Sequence, residues 1–433
     1  MQIEVENTGA LERRLTVRLP SATLNDKVRE RMQELSRTVR LKGFRPGKVP
    51  AKVLEQRFGS DVRREVLGDV IGSSFREAVR QQNLRPAMPP RIASAPESGE
   101  NIEYTATFEV IPEIGAVEVS AMEVGRLDAE VSDADVDRMI DTLREQRRQW
   151  QRVERPAQVG DMVVFEFSVD VDGVRFPQSG SERAGTILGS GALFPAFEAL
   201  LDGVVADDVR TGELSFPADF GESSLAGNNG QVELRVLRVQ TSSLPEIDAI
   251  FFSSFGIREG GLERFRTDVR ANLERELSNA LRARRKSIVI EKLLATYSEF
   301  ELPSSMVEAE HQALLAQIKE RAEKAGQSLD GLDVSAFARD AQLRVRAFLL
   351  VDEIARQQNI IPDQSRLRSE LSSIASTFEE PEKVIELYAR DPQLMSGLRN
   401  RILEDQVVEW VLGHAKVIAQ PATFAEVMQP TAS

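Results

Sequence analysis

Cysteine is absent from the 433 residues, which excludes disulfide stapling, thiol nucleophiles and thiolate zinc sites and fits a reducing compartment. Histidine is nearly as scarce. His311 and His414 stand about 100 positions apart, each inside a helical pattern, so a His-based triad or metal cluster lacks the residues it needs. Net positive charge is missing as well: 55 Lys/Arg against 69 Asp/Glu leave −14, which excludes a surface coated with basic charge for nucleic acid. Long apolar runs do not occur. The start, MQIEVENTGALERR, has charges within its first dozen residues and no apolar core of signal-peptide length, and no later stretch approaches the roughly 20 apolar residues of a membrane span, so the chain reads as cytoplasmic, with no membrane partner.

The length suggests about three domains. The charge is divided among them unevenly. Residues 1–92 hold 19 Lys/Arg and 11 Asp/Glu, a net +8, and the remainder therefore carries −22. One end can approach a polyanion while the rest repels it.

Hydrophobic periodicity divides the chain further. Leu15, Val17 and Leu19 alternate as in a strand, as do Ile102, Tyr104, Ala106, Phe108 and Val110. Between them, Pro20 and Ser21 open a helix with Leu24, Val28, Leu35 and Val39 on one face and Ser21 as its N-cap. A second helical stretch runs from Ser60, striped by Val62, Val66, Val70 and Val79, until Pro86, Pro89 and Pro90 end it. This is an α+β domain over 1–112.

Residues 113–156 read as a linker, in which Ser132–Asp133 begins a polar helix reaching Trp150, with Val136, Ile140 and Leu143 as a narrow apolar seam. Residues 157–245 then turn β-rich: Val163, Phe165, Phe167 and Val169 alternate, Asp172–Gly173 marks a hairpin, Val232, Leu234 and Val236 form a closing strand, and one short helix lies near Pro195–Leu201. Residues 246–433 read as helical, with segments near 304–325, 334–359, 363–378 and 392–417 and a frayed tail from Pro421. The fold class expected is multidomain α+β: an N-terminal α+β domain, a small β-rich domain and an all-α C-terminal domain.

The strongest motif is Gly43-Phe44-Arg45-Pro46-Gly47-Lys48-Val49-Pro50, between two helices in the basic end. Two glycines and two prolines make a fixed, exposed turn. An exposed Phe beside Arg and Lys joins an apolar tip to phosphate-directed charge, suited to docking on RNA with an associated protein; the plain alternative is a turn whose Phe tucks into its own domain.

The loop resembles the GFRxGKxP signature of bacterial trigger factors, chaperones that dock at the ribosomal exit tunnel. The resemblance extends over essentially the whole chain, through Met1–Glu6, Val66-Leu67-Gly68-Asp69, Asp133–Leu143, Arg275-Glu276-Leu277 and Pro381–Tyr388. It implies a ribosome-binding N-terminal domain, a peptidyl-prolyl isomerase domain of FKBP type and a helical body with arms that cradles nascent chains. The partners implied are a large-subunit exit-tunnel protein, the adjoining rRNA, nascent and unfolded polypeptides, and a second copy as a homodimer off the ribosome. Gly43, Phe44, Arg45, Gly47 and Lys48 would form the ribosome contact, with Lys48 taking part of the charge role where the family often has a basic residue and this chain has Pro46.

An isomerase of this type needs neither nucleophile nor metal, because an apolar pocket accelerates X–Pro rotation by desolvating the imide and favouring its twisted form. The resemblance assigns the pocket to Phe167, Phe194, Phe197, Phe220 and Val232. Four departures stand out. Pro-Ala-Phe-Glu replaces the usual Pro-Gly-Phe-Glu, Phe220 replaces a Tyr, Val232 replaces a Phe, and the usual Asp-Phe is absent around Arg183–Gly185. An apolar pocket is retained with a reduced hydrogen-bonding handle, so the expected isomerase activity is weak. The alternatives are a ribosome- or RNA-associated scaffold with a silent FKBP-like domain, and an enzyme dominated by proline isomerisation.

No cofactor is implied. Gly189-Ser190-Gly191 lacks the third glycine of a nucleotide fingerprint, and the adjacent pairs Asp207–Asp208 and Glu379–Glu380 do not point the same way in a strand or helix. In the helical region, Met306, Leu314, Leu315, Ile318, Phe337, Leu343, Phe348, Met395, Leu398 and Ile402 supply apolar stripes, most of them bundle core and a few facing client.

Overall fold

The computed structural model describes the chain except residues 40, 42, 43, 45–48, 95–100, 172, 218–224, 327–333 and 430–433, together with the side chains of 94 and 334–336. It divides into two compact units. The first comprises Met1–Leu127 and Arg282–Gln420; the second comprises Asp128–Leu281 and Pro421–Ser433.

In the first unit, strands β1 (Gln2–Asn7), β2 (Glu12–Pro20), β3 (Arg91–Ser94) and β4 (Asn101–Glu109) form an antiparallel sheet in the order β1-β2-β4-β3. Helices α1 (Ser21–Thr38) and α2 (Ala51–Gln81) pack on one face of it. The alternation in β2 and β4 puts Leu15, Val17, Ile102, Tyr104 and Ala106 inside, against Leu24 of α1 and Val62, Val66 and Val70 of α2. The buried Tyr104 hydroxyl meets Ser74 Oγ at 2.9 Å, satisfying a polar tip that the core would otherwise penalise.

Two expectations are corrected here. Ser21 does not cap α1: Pro20 holds the N-cap position, and no side chain bonds there. Helix α2 begins nine residues before Ser60, at Ala51 behind Pro50, and buries Leu54 ahead of the valine stripe.

The rest of the first unit is helical. After β5 (Glu123–Asp128), and beyond the second unit's share of the chain, come the C-terminal half of α6 (Gly261–Thr296), then α7 (Ser304–Ala325), α8 (Val334–Gln357), α9 (Gln364–Ala375), α10 (Pro381–Arg390), α11 (Pro392–His414) and strand β12 (Lys416–Pro421), which pairs with β5. Val117, Val119, Met122 and Val124, expected within a linker, are buried with Val289, Leu293, Leu350, Ile354, Val407 and Val411 of α6, α8 and α11. Extended chain with apolar residues at alternate positions lies in the body's own core.

The second unit holds α3 (Asp133–Gln146), whose N-terminus is closed by a capping box: Ser132 Oγ accepts from Asp135 N, and Asp135 Oδ2 accepts from Ser132 N at 2.8 Å. The helix stops at Gln146, short of the expected Trp150. Trp150 instead sits in β6 (Gln149–Val153), opposite Ser242. Strands β6, β7 (Met162–Val171), β8 (Val174–Phe176), β9 (Glu182–Ile187), β10 (Val209–Ser215) and β11 (Asn229–Ser243) form a six-stranded antiparallel sheet around α4 (Pro195–Leu200). The β7–β8 hairpin pairs Val171 with Val174 and has Gly173 at φ +85°, while Asp172 of the expected turn lies outside the described residues.

Short helix α5 (Ala249–Ser253) supplies Phe251, which meets Phe255 and also Phe265 of α6 edge-on, and Phe252, which lies tilted against Phe265. The tail does not fray at Pro421: α12 (Phe424–Met428) follows, with a Thr423–Glu426 capping box and Val427 buried.

Candidate functional sites: an exposed aromatic loop and an internal aromatic cluster

The connection from α1 to α2 is fixed at both ends. Val39 closes α1 by donating to Leu35 O, and Pro50 O receives the N–H groups of Val53 and Leu54 to start α2. Val49 is buried, anchoring the exit of the loop. Phe44 donates its N–H to Leu41 O at 3.1 Å and is 39% exposed. The other aromatic residues of 1–112 face inward: Phe75, Tyr104 and Phe108 are buried and Phe58 is half-buried. Phe44 therefore does not tuck into its own domain. Gly43, Arg45, Gly47 and Lys48 lie outside the described residues.

In the second unit, residues 165 and 167 share one face of β7, so Phe165 and Phe167 stand side by side with ring centroids 6.0 Å apart. Phe197 of α4 meets Phe167 edge-on at 5.7 Å, and Phe194 at the helix N-cap meets Phe197 at 5.8 Å and Phe216 at 5.5 Å. Phe165, Phe197 and Phe216 are buried and make the floor, while half-buried Phe167 and Phe194 form the accessible part. Edge-to-face packing of this kind holds rings in fixed directions beyond what area burial provides.

Of the sequence-assigned residues, Phe167, Phe194 and Phe197 come together. Val232 is fully buried on β11 opposite Val169, in the core around the cluster rather than on its accessible side. Phe220 lies outside the described residues, although its flanks are pinned by Phe216 N to Asn228 O and Gly227 N to Pro217 O. Phe165 belongs to the same cluster without having been assigned to it, and Phe216, whose Phe216-Pro217 dipeptide is one of the family-like elements of the chain, joins it as well. The alternating run on β7 was the available signal for Phe165.

Two polar devices support the cluster. Glu198, the acid of Pro-Ala-Phe-Glu, accepts from Gly189 N and so ties α4 to the turn after β9. Gly189 has φ +81°, and a Cβ there would meet Val159 Cγ1 at 2.6 Å, so the turn requires glycine. Asp161 is buried and pairs with Arg155 at 2.6 Å. Burial pushes its carboxyl up, and bonds from Arg155, Gln158 N and Thr241 outweigh that and hold it below the ordinary value.

The apolar stripes of the helical body divide as their accessibility dictates. Leu314, Leu398 and Ile402 are buried, whereas Leu343 and Phe348 are exposed, together with Phe378, Ile385, Leu387 and Leu394 around α10. Helix α10 buries no residue. Among the described residues no helix is long and apolar enough to cross a membrane.

Comparison with known proteins decides the family. A model of the bacterial trigger factor protein matches residues 1–143, and a model of the trigger factor C-terminus matches 261–413. A trigger factor of Xanthomonas campestris pv. campestris is 43% identical over 433 residues, covering 99% of this chain and all of its own. The chain belongs to the trigger factor family. A Stenotrophomonas maltophilia trigger factor is equally similar, 43% over 432 residues with the same coverage. A solved trigger factor chaperone structure aligns with 95% of this chain and 99% of its own at 18% identity, with a TM-score of 0.41. Membership makes this a ribosome-associated chaperone with a family architecture of N-terminal domain, β-rich middle and helical C-terminal region. The scaffold alternative is not favoured. Trigger factors carry a prolyl isomerase domain; the matched segments here lie on either side of the β-rich middle.

Proposed function

We propose that this trigger factor homologue docks at the ribosomal exit tunnel through the Gly43–Pro50 loop, shields emerging chains with its helical body, and isomerises X–Pro bonds in its β-rich middle. The observation that carries the docking reading is the exposure of Phe44 in a domain whose other aromatics turn inward. Phe44 would supply the apolar contact to an exit-tunnel protein, with Arg45 and Lys48 reaching adjoining rRNA phosphates and Gly43 and Gly47 shaping the turn. The +8 of residues 1–92 supports attachment there, and the −22 elsewhere keeps the body off rRNA.

For the isomerase, Phe167 and Phe194 would contact the prolyl segment, Phe197 would back them, Phe220 would close the wall without the hydroxyl of a tyrosine, and Val232 would act from the core. Desolvation of the imide lowers the barrier to rotation with no charged group required. Clients rest on the exposed apolar residues near α10, released without ATP because scattered patches bind weakly. Off the ribosome the partner would be a second copy, as a homodimer. The setting is the cytoplasm.

Ribosome cosedimentation of the full chain against Phe44→Ala/Arg45→Ala tests docking: binding is expected to fall at least about tenfold, and equal binding would defeat the loop assignment. Titration with salt should weaken wild-type binding with a slope of about −0.7 to −0.9 per phosphate contact. A proline-limited refolding assay with the full chain tests catalysis, and no acceleration over background would remove the isomerase.

A further inference from the structure

Strands β5 and β12 form a ribbon of two strands among the described residues. Its inner strand is held, with Val124 buried in the core of the helical body. Its outer strand is not: every residue from Lys416 to Pro421 is exposed, Val417 and Ile418 among them. Lys416 N donates to Met122 O at 2.9 Å and Ala422 N to Asp128 O at 3.0 Å, so the two strands run in the same direction. Parallel strands are ordinarily covered on both faces, and two strands alone are marginal.

Alternation along the strand then assigns each backbone group. The N–H groups of Ile418 and Gln420 turn toward β5 with those of Lys416 and Ala422, and the N–H and C=O groups of Val417 and Ala419 turn to the open edge. Gln420 also lays its side-chain amide against Gly125 of β5, where a Cβ would come within 2.8 Å of Oε1. Soluble proteins guard such an edge with lysine and proline. Here Lys416 and Pro421 stand at the two ends, and Pro421, which has no N–H, falls in step with Val417 and Ala419. Between the guards, Val417-Ile418-Ala419-Gln420 carries no charge.

We propose that the open edge of β12 takes up an extended segment of unfolded polypeptide as a third strand, joined main chain to main chain. An unfolded chain carries free N–H and C=O groups along its whole length, whereas a folded partner hides or guards its own edges. Recognition through the backbone is indifferent to sequence, and the short window between the guards presents only Val417 and Ala419, which keeps the holding reversible without ATP. That the occupant is unfolded protein rests on the chaperone function of the family; the open edge rests on the ribbon alone.

The probe is a short soluble peptide of alternating valine and threonine with a lysine at each end, paired with a copy N-methylated at its four central residues, which keeps the side chains and blocks both edges. Equilibrium binding to the full chain should be at least about tenfold weaker for the N-methylated copy. Amide exchange read residue by residue should be fast at Val417 and Ala419 in the free chain and slow at Ile418 and Gln420, and saturating peptide should slow the first pair by about tenfold or more. Ala419→Pro, which removes one donor from the open edge and none from the β5 side, should weaken the parent peptide about fivefold and leave the copy unchanged. The added strand is overturned if both peptides bind alike, which leaves the chaperone function standing, or if Val417 and Ala419 stay fast with peptide bound or are already slow in the dilute free chain. It is overturned as well if their exchange slows with rising protein concentration alone, which would give the edge to a second copy. Binding of neither peptide overturns it too, and removes the holding function with it only if the chain also fails to suppress aggregation of a heat-unfolded protein.

Discussion

The N-terminal domain and the β-rich middle are both antiparallel sheets closed by helix, but they place their candidate residues on opposite sides of the core. Phe44 stands on a connection outside the packed layers, so changing it leaves the fold beneath intact. Phe197 is a member of the core it serves, touching Phe165, Phe167 and Phe194. A contact surface borne on a loop is separable from stability, while a pocket made of core rings is not. Substitution in such a pocket must respect volume first and chemistry second.

The sharpest way to break that contrast is Phe197→Ala. Loss of a buried ring should cost the middle about 3–5 kcal/mol, read as an earlier guanidinium transition of Trp150 fluorescence in a Trp410→Phe background. Ribosome cosedimentation should be unchanged, and a parallel loss of docking would show the two regions to be coupled. Ser132→Ala should cost about 1 kcal/mol through the lost capping box of α3, visible in the same Trp150 transition.

Acid offers a test that touches both regions. Burial raises Glu109, and four bonds from the N–H and Oγ groups of Ser304 and Ser305 more than reverse that; Asp161 behaves likewise with Arg155. Each folded carboxyl lies below its unfolded value, so each contributes stability above the ordinary carboxylate range, near pH 4, and loses it as pH falls through the depressed value. Melting followed from pH 6 downward should stay level to about pH 5 and decline below it. Glu109→Gln should flatten part of that decline without moving the Trp150 transition. The smallest effect is expected for Phe44→Ala, whose melting should stay within about 0.5 kcal/mol of wild type even as ribosome binding falls.

Legibility in the sequence followed the range of the determining contacts. Helix α7 was readable to its ends because Pro303 starts it and Gly326, at φ +64°, stops it, both local signals. The start of α2 was missed because Gly59 and Ser60 interrupt the pattern, while the true first turn is fixed by Pro50 and by Leu54 reaching the core. Trp150 was read as helix since the polar run before it has no period; its strand exists only because β11 pairs with it from far along the chain. For the sites, the exposure of Phe44 followed from turn chemistry. The inward position of Val232 and the membership of Phe165 depend on how β7, β10 and β11 close around α4, which no single segment encodes.

The body's core is assembled from segments far apart in the message. Val117, Val119, Met122 and Val124 emerge early in synthesis, and their partners Val407, Val408 and Val411 emerge much later. About 290 residues separate them, so at roughly 5–20 residues per second the early strand waits on the order of 15–60 s for its partners. A member of a family of ribosome-associated chaperones thus keeps an apolar early segment uncovered through most of its own synthesis, and that segment needs shelter of the kind the folded chain later provides.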